Sequence, residues 1–283
     1  GEGAEPAAGE DAAAEPEAEP PVDRGERAAD REAGLAADLA GDPATDAPLL
    51  AVVIDDWGYG WSAAEAFLSL EGPLNVAVIP YLPYSERHAR MAAAKGHQVI
   101  LHLPMEPESG AWDLGRGAVT TAMTSDQIVA GVAEAWSSVP HVTGMNNHMG
   151  SKATADERVV EAVLEVVRAH GAFVLDSRTT SQSVIGVVAA AKGVPYLRND
   201  RFIDPDTDPE RVRERVLAAA RLAKERGWAV VIGHVHMPTY RGLVAALPQL
   251  AEEGVRLATL NEVLERRARA EAAARSGAQS PAP

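Results

Sequence analysis

From residue 49 onward, short apolar runs alternate with longer stretches whose apolar positions recur every three to four residues. Residues 49–54, Leu-Leu-Ala-Val-Val-Ile, are continuously apolar and rich in β-branched side chains, which is how a strand buried on both faces of a parallel sheet reads. Similar runs predict strands over 74–79, 98–103, 142–145, 173–175, 195–197, 228–232 and 256–258. Helical spacing predicts helices over 62–70, 85–94, 126–138, 156–170, 183–192, 209–226 and 243–253, and a terminal helix from Leu260 to near Arg269. Ser62 and Ser125 are the expected N-caps, and Gly96, Gly171 and Gly227 stand where helices commonly stop.

Strands that alternate with helices imply parallel pairing through crossover helices. Seven or eight such units in roughly 220 residues suit a closed or nearly closed (β/α) barrel better than an open doubly wound sheet. No Gly-rich phosphate loop opens any helix, so a nucleotide-binding fold has little support. The connection over 107–124 is long for a plain loop, and long loops beside a site often serve as lids.

Residues 1–48 break the pattern: they are Ala, Glu, Pro, Asp and Gly with almost no large apolar side chain. Such a segment buries too little surface to offset its ordering entropy, so it reads as a disordered acidic tail or linker, with at most a marginal helix over 27–39. Residues 267–283 read as a second disordered tail, leaving one folded domain over 49–266.

The tail also changes the meaning of the charge. Of the formal net charge of −15, residues 1–48 supply 14 Asp/Glu against 3 Arg, so the folded part is close to neutral. It has no Lys/Arg cluster of the kind nucleic acid requires. With no cysteine, disulfides, thiol nucleophiles and thiolate metal sites are excluded. There is no apolar run of 18 residues, hence no membrane span in this sequence, and no signal peptide is visible in it. The chain begins with Gly rather than Met.

Candidate chemistry collects where strands end. Asp55, Asp56, His102, Glu106, His148, Asp176, Arg178, Asp200, Asp204, His234 and His236 nearly all follow a predicted strand, and in a barrel those ends form the rim that carries active sites. Side chains alternate along a strand, so Asp55 and Asp56 are suited to different tasks at one rim; a helix cap beside a solvated carboxylate is the plain alternative. Carboxylate and imidazole groups at an open mouth, without thiolates, suit zinc or a similar divalent ion with a free coordination position. Trp57 and Trp112 fall in rim segments, where stacking on a sugar competes with core packing.

Ile54-Asp55-Asp56, His102-Leu103-Pro104-Met105-Glu106-Pro107, Gly144-Met145-Asn146-Asn147-His148-Met149-Gly150-Ser151, Leu175-Asp176-Ser177-Arg178-Thr179, Arg198-Asn199-Asp200 and Ile232-Gly233-His234 occur in this order. Together they resemble the divergent polysaccharide deacetylase family, which is similar to the NodB-type carbohydrate esterases. The resemblance implies an irregular (β/α) barrel of that type. It implies Asp55 as base, Asp56 and His102 as ligands of a divalent metal, with zinc the expected ion, and His234 as general acid. The second ligand histidine of the NodB-type motif is replaced by Glu106, and its Arg-Pro motif by the segment with His148, so His148 is inferred as third ligand. Glu106, Asn147, Asp176, Arg178, Asp200 and His236 are expected around the site or on the substrate, with Asp204 as another outer partner or a cap. The implied activity is metal-assisted removal of acetyl groups from an envelope polysaccharide or related glycan, by a periplasmic or secreted protein. Hydrolysis of another amide, or an inactive envelope assembly role with a retained metal, are the alternatives.

Overall fold

A computed structural model describes residues 46–110 and 113–278. The acidic tail, its marginal helix and Trp112 lie outside the described residues, as do 279–283. The apolar runs form strands β1 (Leu49–Trp57), β2 (Asn75–Val78), β3 (Gln98–Met105), β4 (Val142–Met149), β5 (Phe173–Asp176), β6 (Tyr196–Arg198), β7 (Arg201–Phe202), β8 (Trp228–His234) and β9 (Arg256–Leu257). The helices are α1 (Ser62–Leu68), α2 (Ser85–Ala94), α3 (Ser125–Ser138), α4 (Glu157–Ala169), α5 (Ile185–Lys192), α6 (Pro209–Arg226), α7 (Met237–Glu252) and α8 (Leu260–Ala278).

All strand pairs are parallel, in the order β6-β5-β4-β3-β2-β1-β8-β7, with β9 beside the start of β1. The two edge strands are consecutive in the chain. Between them the Asn199 amide donates to Asp176 O of β5 (2.9 Å) and the Asp200 amide to Val230 O of β8 (2.8 Å). Two neighbouring amides thus serve opposite edges, and the curled sheet becomes the irregular (β/α) barrel expected from the alternation.

Strand alternation divides the core. Leu49, Ala51 and Val53 of β1, Ala77, Ile100, Phe173, Leu175, Leu197, Val230 and Ile232 pack together inside the barrel, where Leu260 and Val263 of α8 join them. Leu50, Val52, Ile54, Val76, Val78, Leu101, Leu103 and Met145 face the other way, into the layer under the helices. Continuing the inward series toward the C-terminal strand ends replaces apolar residues with Asp55, His102, Asn146, His148 and His234. Inside, Phe173 needs the missing side chain at Gly144, where a Cβ would lie 2.4 Å from the ring.

Several boundaries differ from the sequence expectation. Trp61, not Ser62, is the N-cap of α1, because its carbonyl already accepts from Glu65. Thr124, not Ser125, caps α3 through a capping box with Gln127. β4 runs on through Asn146, Asn147 and His148, whose polarity reads as loop in a sequence but serves the barrel mouth. α7 starts at Met237, since Pro238 is tolerated in a first turn and Gly242 lets the helix approach Pro209 O closely. β7 was not anticipated, and α8 continues to Ala278, past the domain end expected at 266.

Candidate metal centre

Asp55 and Asp56 end β1 in a β-bulge. Ile54 pairs with Val76 and Trp57 with Val78, so β1 carries one residue more than β2 over this interval. Asp56 takes the extra turn at φ 67°, a left-handed conformation that Asp adopts more readily than most non-Gly residues. A regular strand would aim the two carboxylates to opposite faces. The bulge instead brings both to His102, with Asp55 Oδ2 at 3.6 Å and Asp56 Oδ1 at 3.2 Å from Nε2. It also turns Trp57 into the core against Phe67 and His88, so Trp57 is no sugar platform.

His148 reaches the same point from β4, two residues beyond Asn146 on the inward face. Its Nδ1 lies 2.9 Å from Asp56 Oδ1 and 3.1 Å from His102 Nε2. Asp56, His102 and His148 are the one grouping among the described residues whose donor atoms converge closely enough to hold a metal ion. Their separations approach the edge of about 3.3 Å expected for a tetrahedron with metal–ligand bonds of ~2.0–2.1 Å. Asp56 Oδ1 is buried without a hydrogen-bond donor, the state of an oxygen that fits a cation. His102 Nδ1 meets Asn146 Oδ1 at 2.8 Å, the second-layer contact that metal-bound imidazoles usually make.

The charges reinforce one another. Burial works against ionising Asp56, but the imidazoles of His102 and His148 beside it hold its carboxyl far below the usual range. Asp55 is raised by burial, with His102, His234 and the Asn146 amide opposing. Burial lowers His102, but the Asp55 and Asp56 carboxylates overcome it and leave the imidazole raised.

His234 ends β8 beside β1, in register with Asp55. Asp204 holds it: the ring Nδ1 lies 3.0 Å from Oδ1, and Oδ2 accepts from the His234 amide (2.7 Å) and from Thr239 Oγ1 (2.6 Å). Burial lowers the imidazole, yet the hydrogen bond and charge of Asp204 prevail and push it up to about 9. Phe202 and the exposed His236 flank the ring in stacked orientation. Beside Asp56 a cleft of about 730 Å³ opens between Tyr59 and Ala63 on one side and Val235, His236, Met237 and Pro238 on the other.

The remaining sequence candidates go elsewhere. Both oxygens of Glu106 are engaged, one by Lys152 Nζ (2.6 Å) and the other by the Thr121 amide and hydroxyl (2.7 Å each), so it pins the long β3–α3 connection outside the ligand trio. Asn147 faces outward and binds the Ser177 amide and Met149 O. Asp176 accepts from the Arg178 amide, and Arg178 is exposed. Asp200 pairs bidentately with Arg226 and accepts from the Val230 amide, which sets it toward the start of β8, away from His234. Asn146 and Ser177 were missed as site residues. The signal for Asn146 is present in the sequence, since inward alternation from His148 passes through it, but the expected strand stops at Met145, four residues short of the observed end at Met149. Asp204 rather than Asp200 is the carboxylate at the site.

The residues match known proteins as well as a chemistry. The chain is 35% identical over 204 residues to an uncharacterized protein of Haemophilus influenzae, covering 72% of each. It is 33% identical over 194 residues to the uncharacterized protein YibQ of Escherichia coli, covering 69% of this chain and 60% of that relative's length. The crystal structure of uncharacterized protein ATU2773 from Agrobacterium tumefaciens shares the fold, with a TM-score of 0.73 at 16% identity, over 81% of this chain and 94% of that one. The description of the family as divergent polysaccharide deacetylase matches residues 52–264, and on that match the chain belongs to the divergent polysaccharide deacetylase family.

Proposed function

We propose that the protein is a zinc-dependent hydrolase that removes acetyl groups from an envelope polysaccharide or a related acetylated glycan, in the periplasm or outside the cell. One observation carries the reading: a buried carboxylate, Asp55, and an imidazole held protonated, His234, sit on adjacent strands beside a three-ligand trio. A closed structural site needs neither a base nor an acid.

Asp56 Oδ1, His102 Nε2 and His148 Nδ1 would hold the ion. When bound, a divalent ion supplies polarisation of the scissile carbonyl and acidification of water. Asp55 takes the proton from the attacking water, through an oxygen within reach of the trio. His234, charged at neutral pH under the influence of Asp204, donates a proton to the leaving amine or alcohol. The cleft between Tyr59 and the start of α7 receives the sugar; among the described residues its walls, apart from Asp56 and His236, carry no ionisable group other than the phenol of Tyr59. This favours a substrate without dense charge, and the exposed Tyr59 offers an aromatic face for stacking.

The test is acetate release from acetylated glycan oligomers by zinc-loaded protein. Release that depends on zinc supports the reading. Tight zinc binding without acetate release from any acetylated glycan would remove the substrate assignment and leave the metal centre standing.

A further inference from the structure

Asn146 is fully buried and lies between the metal ligands and the base. Its Oδ1 is 2.8 Å from His102 Nδ1, and its Nδ2 is 2.8 Å from Asp55 Oδ1 and 3.3 Å from Ser177 Oγ. A side-chain amide has one accepting end and one donating end, so its orientation commits both neighbours. Ser177 decides that orientation independently: its hydroxyl proton goes to Asn147 O (2.9 Å), so toward Asn146 the hydroxyl oxygen accepts. The NH₂ group therefore faces Ser177 and Asp55, and the carbonyl faces His102.

Two consequences follow for the chemistry. His102 carries its proton on Nδ1, donated to Asn146, which leaves the Nε2 lone pair aimed at Asp56 and His148. Asp55 Oδ1 is occupied as an acceptor, which leaves Oδ2, the oxygen 3.6 Å from His102 Nε2, free to receive a proton. We propose that Asn146, held by Ser177, is a positioning residue that fixes in one stroke the ligand tautomer of His102 and the reactive oxygen of Asp55. The proposal rests on the reading of Asp56, His102 and His148 as a metal trio.

The experiment combines ¹⁵N spectra of the histidine rings with zinc affinity by chelator competition. The wild type, both zinc-loaded and metal-free in alkaline solution, should show His102 as the Nδ1–H tautomer; an Nε2–H ring would overturn the proposal. Asn146→Leu should weaken zinc binding by about 10–100-fold, the usual cost of losing an outer partner of a metal-bound histidine, and unchanged affinity would overturn it. Because that variant risks misfolding, the exchange Asp55→Asn with Asn146→Asp provides a second arm. Asn146→Asp alone sets two carboxylates face to face and should lower the melting temperature, whereas the double exchange restores an amide–carboxylate pair and should recover it. A double variant no more stable than the single one argues against the proposal. Wild-type protein that binds no zinc would instead refute the metal reading, while the metal-free spectra and the exchange still judge Asn146 itself.

Discussion

Asp55 and Asp56 are neighbours in sequence with opposed properties, because one bulge places them in different surroundings. Asp56 faces two imidazoles and stays ionised; Asp55 is buried beside a neutral amide and is raised. Asp55→Asn should keep stoichiometric zinc, measured by elemental analysis, and lose acetate release by roughly 10²–10⁴-fold, the usual worth of a general base. His148→Ala removes one of the three proposed ligands and should cost more zinc affinity than the ~10–100-fold typical of changes to a ligand's outer partners; normal zinc content in this variant would exclude His148 as a ligand. His234 gives a prediction with a sign. Its folded value is raised from 6.5 to about 9, so its contribution to stability is fully present below pH 6.5 and is lost as pH rises through about 9. Asp204→Asn should return the His234 titration, followed by NMR, toward its ordinary range and flatten that part of the stability profile.

At the scale of elements, the seam between β9, β1 and β2 depends on a single side chain. β9 lies beside the first residues of β1 and β2 beside the later ones. Buried Asn75 fills the junction, donating to Val52 O and Ala258 O (3.1 Å each) and accepting from the Leu260 amide (2.8 Å), where α8 begins. Asn75→Ala strands two carbonyls and an amide, and by the cost of unsatisfied buried groups should destabilise by about 3–5 kcal/mol in urea unfolding. Gly144→Ala tests the opposite kind of constraint. Its methyl would collide with the Phe173 ring inside the barrel, an overpacking expected to cost about 1–3 kcal/mol or more.

For the whole molecule, the barrel mouth gathers the polar ends of β1, β3, β4 and β8 above an apolar interior plugged by α8. A metal bound only by this folded arrangement must stabilise it by mass action. Zinc at about 100 times its dissociation constant should add roughly 2.7 kcal/mol to unfolding, removed by chelator and absent in His148→Ala. No helix among the described residues is long and apolar enough to cross a membrane. The near-neutral barrel and its strongly acidic N-terminal segment remain separable in charge, as the sequence alone indicates.

Period and composition sufficed for the parallel barrel and for all of the element order except β7, because apolar runs report burial directly; the trio of Asp56, His102 and His148 rested on the resemblance to the deacetylase family, and the fold brings their donor atoms together. Helix boundaries with clear stops were legible too: 85–94 and 209–226 coincide with α2 and α6. Polar residues that belong to strands were not legible, since Asn146 and Asn147 look alike until alternation in β4 sends one inward and the other outward. Nor could sequence separate Asp204 from Asp200, or show that Lys152 and Thr121 would satisfy Glu106 completely. Those assignments depend on partners 15 to 46 residues away in the chain, as with Thr121 and Lys152 on Glu106 and Asp204 on His234. The amino-acid pattern determined which residues could form a site; only the curled sheet, with its bulge at Asp56 and its register between β3 and β4, decided which of them meet.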